Sequence, residues 1–161
     1  MEAVANIMDL NTKLSPHFTL KELIHSDKAL KLGIDNTPPE EVVSSLIIVC
    51  CRILEPVRDH FQRSFSPNSG YRCSELNQAL RGSKTSQHMF GQAVDFEIPG
   101  IPNYELAKWI STNLIYDQLI LENYESGKPN SGWVHCSLIS GQNRMQLLTI
   151  NGSNKREGLI A

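Results

Sequence analysis

The chain has 161 residues, of which 40% are hydrophobic and 20% charged, enough for one domain with a sizeable core and ordinary for a soluble globular protein. A net charge of −2 and a pI near 6.2 exclude a broad basic surface for nucleic acid. The longest apolar run, Leu46 to Cys51, is far too short to span a membrane.

Residues 1–17 carry no strong pattern and read as a loosely held arm, with no basic segment followed by an apolar one to mark a secretory signal. Thr19 with Glu22 three residues on is a capping box for a short helix through His25. Ser26 can cap a second short helix that ends at Gly33. Thr37-Pro38-Pro39-Glu40 predicts a helix start, with Thr37 as cap and Pro38 at the first helical position. The helix presents a wide stripe that includes Val42, Val43, Leu46, Ile47, Val49, Cys50, Ile53 and Leu54. Pro56 is expected to bend or interrupt it. Residues 64–68 lead into an extended segment, residues 74–80 form a short helix, and residues 81–85 are a polar link.

Ser86-Gln-His-Met-Phe-Gly-Gln-Ala-Val-Asp95 then places one His and one Asp seven positions apart. Imidazole nitrogen and carboxylate oxygen are both good zinc ligands. The spacing does not suit one helix face, where ligands sit three or four residues apart. It suits a loop carrying His88, a turn at Gly91, and a strand with Ala93 and Asp95 on one face and Val94 and Phe96 on the other. Asn103 can cap a helix that ends near Asn113. Residues 116–122 read as a strand with Gln118, Ile120 and Glu122 on one face, and residues 123–132 as a loop. A returning antiparallel strand carries Trp133, His135 and Ser137 on one face. His88, Asp95 and His135 make three protein ligands and leave a position open, as in a catalytic rather than a structural zinc site. Residues 145–150 read as a final strand and residues 151–161 as a polar tail. The four cysteines, Cys50, Cys51, Cys73 and Cys136, hold no Cys-x-x-Cys pair and read as reduced, mostly buried thiols.

Ser-x-His-x-x-Gly-x-Ala-x-Asp followed by Trp133-Val-His135 resembles the signature of the D-Ala-D-Ala carboxypeptidase-like zinc peptidases. The resemblance runs from about Phe18 to Ile150. It is also carried by Phe18-Thr-Leu-Lys-Glu-Leu23, Gly33-Ile-Asp-Asn-Thr-Pro-Pro39, Glu55-Pro-Val-Arg58, Ser69-Gly-Tyr-Arg72, Leu76-Asn77 and Tyr116-Asp-Gln-Leu-Ile-Leu-Glu122. It implies an α+β fold of the kind shared with the Hedgehog signalling domain: a small, mostly antiparallel sheet carrying the zinc site, with helices packed on it. The expected division is an arm (1–17), a zinc peptidase domain (18–150) and a tail (151–161).

The same resemblance implies Zn²⁺ on His88, Asp95 and His135, and hydrolysis of an amide bond in peptidoglycan stem or cross-link peptides by a monomer. Arg72 would hold a substrate carboxylate or polarise a carbonyl; its alternative role is a salt bridge holding the loop. Ser86 would contact substrate, and Trp133 would shape the cleft wall or serve structure alone. Many relatives place the general base three residues before the second His ligand, which here is Gly132. A closer branch carries it at the end of the preceding strand, which selects Glu122, with Glu125 in the longer loop as the alternative. The slightly acidic charge does not itself point to a cell-wall substrate. With no visible signal, the resemblance implies synthesis in the cytoplasm and action on the cell wall after release or as a virion component. The rival reading is a zinc-bearing binding module without peptidase activity.

Overall fold

Residues 8–161 are described by the computed structural model; the first seven residues of the expected arm lie outside them. The rest of that arm is not loose. Strand β1 (Lys13–Ser15) pairs with β2 (Phe18–Thr19), and Leu14 and Phe18 are buried. The carboxylate of Glu55 fastens this hairpin. It accepts from the Ser15 hydroxyl at 2.6 Å and the His17 backbone N–H at 2.8 Å, and lies 2.8 Å from His17 Nδ1.

Helices α1 (Leu20–Ile24) and α2 (Asp27–Leu32) begin at Thr19 and Ser26, and the Thr19–Glu22 capping box is formed. The next start differs from its expectation. Helix α3 (Glu40–Val49) begins with Pro39 at the cap position, and the Thr37 hydroxyl instead donates to Asp35 at 2.6 Å. The physical reason is the proline pair: the residue before a proline is pushed out of the helical region, so Pro38 cannot open a helix. Helix α4 (Glu55–Phe61) follows α3 without a break, through a π-helical turn over Cys50–Leu54. Pro56 therefore does not interrupt the rod. Its ring would strike the carbonyl four residues back in a regular helix, and the widened turn, with the Glu55 N–H donating to Cys50 O, makes room for it.

Helix α5 (Ser74–Ala79) precedes the motif. Strand β3 (Ala93–Phe96) is followed by α6 (Asn103–Asn113), β4 (Gln118–Glu122), β5 (Trp133–Ser137), β6 (Gln146–Asn151) and β7 (Asn154–Glu157). The sheet order is β3-β5-β4-β6-β7. Three of the four pairings are antiparallel and β4–β6 is parallel, so the mostly antiparallel sheet expected is a mixed one. Both edges of β5 are taken by β3 and β4, so the chain crosses to the free side of β4 and runs alongside it. The expected tail also departs: residues 154–157 form edge strand β7, fully exposed and polar, with no alternation to reveal it.

Strand alternation sorts the sheet into two faces. Val94, Phe96, Leu119, Leu121, Val134 and Cys136 are fully buried and meet Leu46, Val49 and Ile53 of the long rod and Leu106 and Ile110 of α6 in one core. The opposite face carries Asp95, His135, Ile120, Glu122 and Trp133. The four cysteines are free, Cys51 exposed and Cys50 and Cys136 buried. Among the described residues no helix is long and apolar enough to cross a membrane.

Candidate metal centre

Gly91 starts the construction of the site. It closes a 3-10 turn over Gln87–Phe90 with φ 68°, and a Cβ there would lie 2.7 Å from Val42 O and 2.8 Å from Val42 Cγ1 of α3. Only glycine lets the turn pack this close in this backbone conformation. The turn presents His88, which is buried, and β3 then presents Asp95 beside it.

Across the β3–β5 ladder Asp95 is paired with His135. His135 Nδ1 lies 2.9 Å from Asp95 Oδ1, and His88 Nε2 lies 3.2 Å from Asp95 Oδ2. One ligand atom from each of the three residues lies within 4.8 Å of the others. A tetrahedral shell with bonds of about 2.1 Å sets its ligand atoms about 3.4 Å apart, so the three donors converge at the right scale.

The proton arrangement also fits a cation. His88 Nδ1 is 2.7 Å from the Gly70 carbonyl oxygen, which can only accept, so Nδ1 carries the proton and Nε2 a lone pair. That lone pair faces a carboxylate oxygen. Burial holds His88 below its ordinary pKa, against the upward pull of Asp95, so a second ring proton is disfavoured. Burial alone would raise the Asp95 carboxyl, but the His88 and His135 rings beside it hold it well below the usual carboxylate range, so it carries the negative charge a cation needs. A cation held by His88 and Asp95 would relieve the opposition of these two electron pairs.

Arg72 lies beside this cluster. Its backbone N–H donates to His88 O at 3.1 Å, its Nε to Ser69 Oγ at 3.0 Å, and its Nη2 to Asp95 Oδ2 at 3.0 Å. The salt bridge weighed for Arg72 is therefore made, and its acceptor is the carboxylate that both histidines approach. Ser86 caps the His88 turn, its hydroxyl oxygen accepting from the His88 N–H at 3.3 Å.

Glu122 and Trp133 are cross-strand partners on the same face, two pairs along from Ile120 and His135. Burial, and then the charge of Asp95, raise the Glu122 carboxyl above its ordinary pKa, while His135 and Arg72 pull the other way. Glu125 sits elsewhere: it is exposed in the loop and ion-paired with Lys128 at 2.9 Å. Gly132, where many relatives carry the base, has φ 66°, and a Cβ there would overlap the Glu122 carbonyl oxygen. No side chain fits at that position.

Several supporting residues escaped the sequence reading. The Asn36 side chain donates to Ile24 O at 2.8 Å and Tyr71 O at 3.0 Å and accepts from the Cys73 N–H at 2.8 Å, bracing the segment that carries Arg72. Asn103 does not cap α6; its amide donates to Glu97 and to the carbonyls of Ser131 and Gly132, tying the loop before β5. Ser69 bridges Asp95 through the backbone, its carbonyl accepting from the Asp95 N–H at 2.8 Å.

Residues 16–137 match the family described as Peptidase M15. The chain belongs to the peptidase M15 family. The matched span contains the three converging donors together with Arg72, Ser86, Glu122 and Trp133, while β6 and β7 of this M15 peptidase lie beyond it. No curated protein matches the chain.

Proposed function

We propose that this M15 peptidase is zinc-dependent and hydrolyses an amide bond in the stem or cross-link peptides of peptidoglycan. The observation that carries the reading is the opposition of the His88 Nε2 lone pair and Asp95 Oδ2 at 3.2 Å, with His135 Nδ1 beside them. Zinc held by His88, Asp95 and His135 supplies Lewis-acid polarisation of the scissile carbonyl and of the attacking water. Glu122 is the general base. Its carboxylate takes the proton of that water and delivers it to the leaving amine nitrogen. The raised pKa of Glu122 suits both halves of that task, because a stronger base than an ordinary carboxylate is also a competent acid after protonation.

Arg72 binds the substrate carboxylate or the developing oxyanion. A guanidinium has five N–H donors, and Ser69 and Asp95 use one each, which leaves three for substrate. Ser86 accepts from the backbone and keeps its hydroxyl proton to donate. Trp133, facing Glu122, walls the cleft. The fixed positions of these groups on strands and short turns hold the site in advance of substrate.

Metal analysis of the purified protein, together with digestion of purified peptidoglycan read by mass spectrometry, tests the reading. About one zinc per chain and released stem peptides support it, and the products identify the bond. Zinc without products points to the binding module instead. No metal, even after zinc is added back, sinks the three-donor site.

A further inference from the structure

One buried carboxylate lies outside the proposed mechanism and yet touches both elements that carry the histidines. Asp117, just before β4, is 2% exposed. Its Oδ2 accepts from Gln87 Nε2 at 2.9 Å, and Gln87 is the residue next to His88. Its backbone N–H donates to Ser137 O at 2.7 Å, and Ser137 is two residues beyond His135 on β5. From the far side Arg144 closes on the carboxylate: its backbone N–H donates to Oδ1 at 2.9 Å, its Nε lies 3.2 Å from Oδ1 and 3.1 Å from Oδ2, and its Nη2 donates to Oδ2 at 2.7 Å.

We propose that Asp117 is a positioning residue for the metal centre. It fixes the Gln87 side chain, and through it the 3-10 turn that presents His88, to the end of the strand that presents His135. Arg144 locks the carboxylate in the orientation that receives Gln87. The Gly70 carbonyl fixes the His88 ring through Nδ1, and the Arg72 N–H holds the His88 carbonyl oxygen at 3.1 Å, but both tie the turn to the segment that carries Arg72 and neither ties it to the start of β4. Gln87 supplies that further attachment, and Asp117 gives it a rigid, buried base. An outer support of this kind acts on metal affinity because ligands that are not held in place must be ordered at the moment of binding. The inference rests on the reading of His88 as a metal ligand.

Chelator competition with zinc tests it on the folded protein, using Gln87→Ala, Asp117→Asn, Arg144→Ala and the Gln87→Ala/Asp117→Asn double variant. Each single change is expected to weaken zinc binding by about tenfold, the low end for loss of an outer partner. The double variant should be no weaker than its worse single, because the two residues act in series. Glu55→Gln, which loosens the β1–β2 hairpin, serves as a control that lowers thermal stability and leaves zinc affinity unchanged. Gln87→Ala and Arg144→Ala keep the test open if Asp117→Asn does not fold. Zinc affinity equal to wild type in both of those variants overturns the inference, as does full additivity in the double variant. A wild type that takes up no zinc overturns the metal reading itself, which is a separate and distinguishable failure.

Discussion

Asp95 and His135 are direct partners across the β3–β5 ladder, and their side chains meet there, Oδ1 to Nδ1, at 2.9 Å. The register of two strands thus creates the site, and a slip of one residue would turn one of the pair into the core. Asp95→Asn keeps the size of the side chain and removes its charge. Loss of a ligand must cost more than loss of an outer partner, so zinc affinity should fall by more than about a hundredfold. Zinc per chain after dialysis reads this directly; an Asp95→Asn protein that retains full zinc contradicts the ligand assignment.

Glu122→Gln separates chemistry from metal binding. The variant should keep its zinc and lose kcat by about 10²–10⁴, the usual contribution of a general base. Stability should move the other way. The raised Glu122 pKa, caused by burial first and by Asp95 second, means that the folded state favours the neutral acid. Stability from the neutral form is present below the ordinary carboxylate pKa and is lost as pH rises through the folded value. With metal removed by chelator, the Gln variant should therefore melt higher than wild type at pH 7, and the gap should close near pH 4. A variant less stable than wild type at pH 7 would falsify the buried-base account.

Arg72→Lys tests the planar fork. A lysine ammonium cannot serve Ser69, Asp95 and substrate from one atom position. We expect kcat/KM on a peptidoglycan fragment to fall about 10–100-fold, as for loss of one or two charge-assisted hydrogen bonds, with zinc content preserved. Steady-state kinetics beside metal analysis distinguish this from a purely structural arginine, whose replacement would lower melting temperature and leave kcat/KM of the folded fraction intact.

Gly132 offers a test of why the proposed base, Glu122, sits on β4. Its left-handed backbone and its contact with the Glu122 carbonyl should make Gly132→Ala lose about 2 kcal/mol or more in urea unfolding. Gly132→Glu in a Glu122→Gln background puts a carboxylate where many relatives carry it. It should restore no hydrolysis. Recovery of activity would show that the loop before β5 can re-form around a side chain.

The Asp117–Arg144 pair predicts a pH-dependent contribution to stability. Hydrogen bonds from Arg144 hold the Asp117 carboxyl below its ordinary value, so its stabilisation is present above about pH 4 and is lost as pH falls through the folded pKa. Arg144 is largely exposed, with its side chain 56% accessible, so solvent screens the pair and the loss in Arg144→Ala should be about 1 kcal/mol at pH 7. Urea titrations at pH 7 and pH 3 should show the difference between wild type and variant shrinking at the acid end.

The centre was legible where the signal was local. His88 and Asp95 share one short segment, and alternation within each strand set Asp95 with Ala93, Glu122 with Ile120 and His135 with Trp133, while the register that turns those faces the same way lies in the pairing of β3, β5 and β4. The supports were not legible, because they act over distance or through the backbone. The Gly70 oxygen that fixes His88 belongs to a residue with no side chain. Gln87 and Asp117 lie thirty positions apart and meet only once β4 is in place. The parallel pairing of β6 depended on which edges of β5 were already occupied, which no single strand records. Strand β7 consists of four exposed polar residues, so it had no apolar face to announce it. Pro56 misled because the rule for proline in a helix assumes a regular helix around it.

The π-helical turn over Cys50–Leu54 carries a consequence for chain length. A π-turn holds one residue more than the α-turn it replaces, so the helix on either side stays close to phase. Removing one residue there would restore regular geometry and leave Glu55 directed towards Ser15 and His17. What would go is the clearance for the Pro56 ring, which in a regular helix meets the carbonyl four residues back. The extra residue is thus room made for one proline. A chain with a residue other than proline at this position should be able to shed the extra one without disturbing the hairpin tie.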